Sequence, residues 1–108
     1  MRSTLIVARM KPGAEADVKR IFAESDAGEL PHVIGVRERR LYRFGDLYMH
    51  FFLSGTDARP AIAKVRDGDL FQNVSEQLRP HITAYDPENW RGPEDAMAKE
   101  FYTWRADR

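Results

Sequence analysis

The sequence predicts one α+β domain in which a four-stranded antiparallel sheet carries both helices on one face. Three observations support this prediction: apolar patterning along the 108 residues gives the order βαββαβ, a tight Gly45-Asp46 turn joins the two central strands, and most connections are short. Short, right-handed connections arrange this order as a ferredoxin-like fold. We therefore expect a single domain over residues 1–108, long enough to bury its own core.

The first predicted strand and helix lie on either side of a short break. Thr4–Met10 is a β-prone run that Lys11-Pro12-Gly13 ends. We predict a helix over Ala14–Asp26, because its apolar residues have the i, i+3, i+4 spacing of one buried stripe: Val18, Ile21 and Phe22. Gly28 is well placed to terminate this helix.

A β-hairpin is predicted at the centre of the chain. Its strands are Val33–Phe44 and Leu47–Ser54, with Gly45-Asp46 as the two central turn residues. This turn fixes the register, and it pairs Phe44 with Leu47, Leu41 with His50, and Arg39 with Phe52.

Two helical segments follow the hairpin. Thr56-Asp57 can cap a helix over Ala58–Arg66, and Asp67-Gly68-Asp69 interrupts it. The apolar spacing resumes over Leu70–Leu78.

The C-terminal part is predicted to be an irregular connection and a last strand. Asp86–Asp95 contains two prolines and a glycine, so we expect no regular structure there. The alternating pattern of Phe101-Tyr102-Thr103-Trp104 predicts a strand over Ala98–Arg105.

Composition excludes several classes of function. Lys+Arg and Asp+Glu are both 17, and a zero net charge argues against a general nucleic-acid binder. There is no cysteine, no glycine-rich phosphate loop and no metal-ligand spacing, so we expect no disulfide, no metal and no cofactor. The N-terminal apolar run is too short for a signal peptide or a membrane span. We expect a cytoplasmic protein with no membrane partner.

The hairpin predicts a homodimer, because neither of its faces is polar. One face carries Leu47, Met49, Phe51 and Leu53, and the other carries Tyr48, His50 and Phe52. A domain of this size cannot bury both faces alone, so we expect a second copy to cover one in a dimeric α/β-barrel-like assembly. We expect Phe51 to belong to the core.

His50 is the first candidate for chemistry. Its imidazole lies among apolar side chains, and the predicted register makes Arg39 a diagonal neighbour on the same face. A guanidinium beside an imidazole favours the neutral ring, which suits a base. A half-buried histidine with a purely structural role is the alternative that the residues alone leave open.

Several segments resemble aromatic polyketide cyclases of the tetracenomycin type. They are Glu29-Leu30-Pro31, Ile34-Gly35-Val36-Arg37, Asp46-Leu47-Tyr48-Met49-His50, Leu70-Phe71-Gln72 and Phe101-Tyr102-Thr103-Trp104. The resemblance implies a ferredoxin-like, dimeric, cofactor-free enzyme with an aromatic polyketide as substrate. Such an enzyme closes a late ring by intramolecular aldol condensation and loss of water, and it can work beside a polyketide synthase complex.

The resemblance also implies the site residues. The family's polar pocket falls on Asp26, Arg39 and His50, and Ser25 stands where the tetracenomycin member has a histidine. We expect His50 or Asp26 to act as base or to position a water, and Arg39 to stabilise the enolate and alkoxide. Tyr48, Phe52 and Trp104 are expected to line the substrate, with Ser25 among the substrate contacts.

Two other functions stay open at this point. A cofactor-independent quinone-forming monooxygenase has the same βαββαβ dimer, and fold does not separate the two reactions. A non-catalytic polyketide-binding module would need the pocket but not its acid–base groups. An RNA-binding domain has the same element order, but the neutral charge of this chain disfavours it.

Overall fold

The computed structural model describes residues 1–107. The strands are β1 (Arg2–Met10), β2 (Val36–Phe44), β3 (Leu47–Ser54) and β4 (Ile82–Ala84). The helices are α1 (Glu15–Asp26), α2 (Leu30–Ile34), α3 (Ala58–Val65) and α4 (Asp69–Leu78), and a 3₁₀ turn spans Pro93–Ala96.

The strands form one antiparallel sheet in the order β2-β3-β1-β4. This is the ferredoxin-like order, so the predicted fold class is confirmed. The hairpin register is confirmed as well, with Phe44 opposite Leu47, Leu41 opposite His50, and Arg39 opposite Phe52. Gly45 has a φ of 61° in the turn, a left-handed conformation that glycine adopts without steric cost.

The core lies between the helices and one face of the sheet. Tyr48 packs there with the buried stripe of α1, which includes Val18 and Phe22. Phe52 packs with Ala58 and Ile62 of α3. The expectation for Phe51 was wrong, because successive strand residues point to opposite faces and Phe51 lies half-buried on the face away from the helices.

The last strand differs from the prediction. The fourth strand is Ile82–Ala84, which follows α4 directly and pairs with the end of β1. After a single bridge between Met97 and Ile6, the described part of the predicted strand 98–105 has no regular structure. Its alternating aromatic pattern has the right period, but β4 already occupies the β1 edge beside Ala8–Met10.

A short helix replaces the start of the predicted second strand. Residues Leu30–Ile34 form α2, which has Pro31 in its first turn, where a missing N–H costs no hydrogen bond. Gly35 ends it with a φ of 88°, and the strand begins at Val36 rather than at Val33. Within residues 1–107, no helix is both long and apolar enough to cross a membrane.

Candidate active site

Arg39 joins Asp26 and His50 into one hydrogen-bonded group, the Arg39 cluster. Its Nε donates to Asp26 Oδ2 at 3.0 Å, and its Nη2 donates to Asp26 Oδ1 at 2.7 Å. Its Nη1 lies 2.7 Å from His50 Nε2. The structure therefore brings together the three side chains that the sequence analysis placed in the polar pocket.

Sheet register and helix periodicity position the cluster. Arg39 of β2 pairs with Phe52 of β3, so His50, two residues earlier on β3, lies diagonally opposite on the same face. This face is covered by α1, in which Phe22 and Asp26 are one turn apart. One row of α1 thus supplies both the carboxylate and an aromatic ring to Arg39.

The cluster lies at the boundary between core and solvent. His50 is 6% exposed, whereas the side chains of Arg39 and Asp26 are 14% and 38% exposed. The Phe22 ring centroid lies 4.9 Å from the guanidinium carbon of Arg39 and 4.9 Å from the centroid of the His50 ring, edge to face. The guanidinium therefore has an apolar side toward the core and an ionic side toward solvent.

His50 is neutral in the folded protein. Burial lowers the pKa of His50 to about 3, and the positive charge of Arg39 acts in the same direction. A guanidinium can only donate hydrogen bonds, so the contact with Arg39 requires His50 Nε2 to accept. The imidazole proton is then on Nδ1. This agrees with the expected neutral ring. The unprotonated nitrogen, Nε2, already accepts a hydrogen bond from Arg39.

Arg39 keeps hydrogen-bonding capacity beyond these contacts. A guanidinium carries five N–H groups. The contacts with Asp26 and His50 use Nε, Nη1 and Nη2 once each, which leaves one N–H on each terminal nitrogen outside these pairs. Such donors in a shielded position can stabilise an oxyanion.

Tyr48 and Phe52 surround His50 within the core. Their ring centroids lie 6.1 Å and 5.5 Å from that of His50. Burial raises the pKa of Tyr48 well above its ordinary value, although the charge of Arg39 opposes this, so the phenol stays protonated. Contact of either ring with a substrate remains a prediction, because both pack into the core in this structure.

Ser25 and Trp104 lie apart from the Arg39 cluster. Ser25 lines a cavity of about 170 Å³ between α1 and α4, with Asn73 and Gln77 on the α4 side. Trp104 is 72% exposed in the segment after the Met97 bridge, so it does not line the Arg39 cluster within one subunit. Their contacts with substrate remain predictions.

Phe22 is the neighbour of the cluster that the sequence analysis assigned only to the core. Its i, i+4 spacing to Asp26 was the available signal, because it puts the two side chains on one helix face. For residues 1–107, the structure has no group of three or more side chains that could hold a metal ion.

Comparison with known proteins gives a consistent family. A family model described as polyketide synthesis cyclase matches residues 2–105. The chain is 53% identical over 105 residues to an uncharacterised protein of Streptomyces coelicolor, with 96% of this chain and 95% of that protein covered. It is 45% identical over 107 residues to the polyketide synthase CurG of Streptomyces cyaneus, with 99% and 100% covered.

The third relative is the tetracenomycin F2 cyclase of Streptomyces glaucescens, which is 41% identical over 102 residues, with 94% of this chain and 93% of that protein covered. Its solved structure, described as a type-II polyketide cyclase, superimposes with a TM-score of 0.91 over 98% of this chain and 99% of that chain. The similarity spans the sheet, the helices and the segments that carry the Arg39 cluster.

Proposed function

This chain belongs to the polyketide synthesis cyclase family, and we propose that it closes a ring of an aromatic polyketide by intramolecular aldol condensation and loss of water. Membership confirms the resemblance found in the sequence, and an aromatic polyketide cyclase role follows from it. The observation that carries the proposed mechanism is the guanidinium of Arg39, held between a carboxylate and a neutral imidazole.

Ring closure needs two things from the protein. A methylene between two carbonyls must lose a proton, and another carbonyl must accept the new carbon–carbon bond. Negative charge develops first on the enolate oxygen and then on the alkoxide. Arg39 is mostly buried, and its two remaining N–H groups can bind this charge with little competition from water.

The proton has two candidate acceptors in the Arg39 cluster. Asp26 has a partly exposed carboxylate, which can take the proton directly or through a water. His50 is the second candidate. Because the methylene of a polyketide is already acidic, a modest base is sufficient. Loss of water completes the aromatic ring.

Shape decides which ring forms. A polyketone can close in several ways, so the protein must hold one conformation of the chain. We expect Tyr48 and Phe52 to contact the bound polyketide on the His50 side, and Ser25 to contact it from the cavity between α1 and α4. Trp104 is exposed to solvent in its own subunit, so we expect it to contact the substrate that is bound to a second copy of the chain.

A homodimer is part of this proposal. The sheet face away from the helices carries half-exposed apolar residues, among them Tyr42, Met49 and Phe51, and the C-terminal segment exposes Phe101 and Trp104. A second copy presents the same apolar surface in return, so a two-fold dimer would cover both. We expect a polyketide synthase complex to supply the substrate.

The test is conversion of a partly cyclised aromatic polyketide by the purified protein, followed by mass spectrometry with and without oxygen and without added cofactor. Aldol closure and dehydration predict one product, lighter by one water, in both conditions. A product that has gained an oxygen atom, and that forms only in air, would establish the quinone-forming monooxygenase instead. Tight binding of the polyketide without conversion would indicate a binding module.

A further inference from the structure

We propose that His50 and Phe22 are positioning residues, which hold the Arg39 guanidinium for substrate, and that His50 does not take the substrate's proton. The kinetic consequence rests on the proposed ring closure, whereas the hydrogen-bonding state of His50 does not depend on it. The proton acceptor is then Asp26 or a water that Asp26 holds.

The direction of the hydrogen bond excludes His50 Nε2 as a free base. Arg39 Nη1 donates to it at 2.7 Å, so its lone pair is engaged, and the other ring nitrogen carries the proton. To accept a substrate proton, the ring would have to release Arg39 and become a cation beside it. Both changes would destabilise the position of the Arg39 guanidinium. The developing oxyanion needs this guanidinium in place.

The surroundings of His50 give no compensation for a positive ring. Arg39 of β2 is the charged side chain in contact with it, and Tyr48 of β3 is a protonated phenol. Asp26 of α1 lies behind Arg39 and is paired with it. Across the sheet, the β1 partner of His50 is the apolar Ile6. Burial also lowers the pKa of His50, as the charge of Arg39 does, and the ring stays neutral.

Phe22 holds the other side of the guanidinium. Its ring lies 4.9 Å from the guanidinium carbon, within range of a cation–π interaction, and it meets the His50 ring edge to face. Phe22 is buried in the core, so its position is fixed by packing. Arg39 is thus restrained by Asp26, His50 and Phe22, which limits the orientation of the two N–H groups outside these contacts.

The first test is ¹⁵N NMR of the His50 imidazole in the substrate-free protein between pH 5 and pH 8. We expect a neutral ring with the proton on Nδ1 and no protonation step in this range. A protonation midpoint near the ordinary histidine value, or a proton on Nε2, would overturn the proposal. This measurement needs no substrate, so it stands even if the proposed ring closure fails.

The second test compares His50→Gln with His50→Phe in the conversion assay. The glutamine carbonyl can accept from Arg39 but is not a base, so we expect it to stay within about tenfold of wild type, whereas phenylalanine loses roughly 100-fold or more. Equal losses of roughly 100-fold or more in both variants would indicate that His50 acts as the base and would overturn the proposal. Thermal unfolding of both variants checks that each is folded.

Phe22 is tested in the same assay with Phe22→Tyr and Phe22→Leu. Tyrosine keeps the aromatic face under Arg39, so kcat should stay close to wild type. Leucine removes the face, and we expect kcat to fall by roughly threefold to tenfold while KM changes less. An unchanged kcat in a folded Phe22→Leu protein would remove Phe22 from the proposal. If wild type itself converts nothing, the proposed ring closure fails, and the NMR result still decides the hydrogen-bonding state of His50.

Discussion

Asp26 and Arg39 form a two-point ion pair between the end of α1 and the sheet, with Nη2–Oδ1 and Nε–Oδ2 distances of 2.7 Å and 3.0 Å. The pair fixes the plane of the guanidinium rather than only its charge. Because Arg39 also contacts His50, the carboxylate determines which N–H groups remain for a ligand.

Asp26→Asn is expected to lower kcat/KM by roughly 10²- to 10⁴-fold, because the amide cannot take the substrate's proton and no longer pairs as an anion with Arg39. Because the carboxylate is 38% exposed, its loss should cost under about 1 kcal/mol in the free energy of unfolding. The matched control is Asp17→Asn on the same helix, whose carboxylate lies 3.3 Å from Arg20 and away from the Arg39 cluster. Equal activity in the two variants would contradict the role given to Asp26.

The lowered pKa of His50 makes the free energy of unfolding depend on pH. Its folded pKa is lowered to about 3 from 6.5, so the unfolded chain binds a proton that the folded protein does not. The free energy of unfolding should therefore fall as pH drops from about 6.5 toward 4, by at most about 1.4 kcal/mol per pH unit from this group. Urea unfolding of wild type and His50→Gln measures it. The variant should show the shallower slope, and identical slopes would contradict the prediction.

Ile62→Ala should be strongly destabilising. The side chain is buried against Phe52 and Ala58, so truncation leaves a cavity beside the strand that carries His50. We expect a loss of about 2–5 kcal/mol in the free energy of unfolding, measured by urea denaturation. The control Leu70→Ala removes a half-exposed side chain and should cost less than about 1 kcal/mol. A similar decrease in the free energy of unfolding for both variants would show that Ile62 of α3 is not part of the packed core.

Phe51→Glu tests the proposed dimer. Phe51 lies on the open sheet face, where a charge would be buried without a partner if a second copy packs there. We expect the variant to be a folded monomer by light scattering, whereas Val33→Glu, an exposed position on α2, should leave the proposed dimer intact. A dimeric Phe51→Glu protein would place the interface elsewhere.

The cluster was largely predictable because it depends on local chemistry. Gly45-Asp46 is typical of a two-residue hairpin turn, and a turn at these residues sets the register that places Arg39 beside His50. Asp26 entered through its position in the resemblance, since helix periodicity does not say which strand a helix end meets. The structure shows that it meets Arg39 of β2.

The rest depends on competition between distant segments. Residues 98–105 have strand periodicity, but the period does not choose a partner, and Ile82–Ala84 takes the β1 edge at Ala8–Met10. Phe52 rather than Phe51 entered the core because the helices cover the His50 face, and two apolar faces in one hairpin do not reveal this choice. The role of Phe22 beside Arg39 requires the packing of α1 on the sheet.

The most direct test of the central claim is the anaerobic conversion rate of Arg39→Lys, with Arg40→Lys as control. Lysine keeps the charge at position 39 but loses the planar fork that Asp26 and His50 hold, whereas Arg40 is exposed beside Glu38. We predict a loss of roughly 10²- to 10³-fold in kcat for Arg39→Lys and near wild-type activity for Arg40→Lys. Wild-type kcat and the same dehydrated product from a folded Arg39→Lys protein would contradict the account.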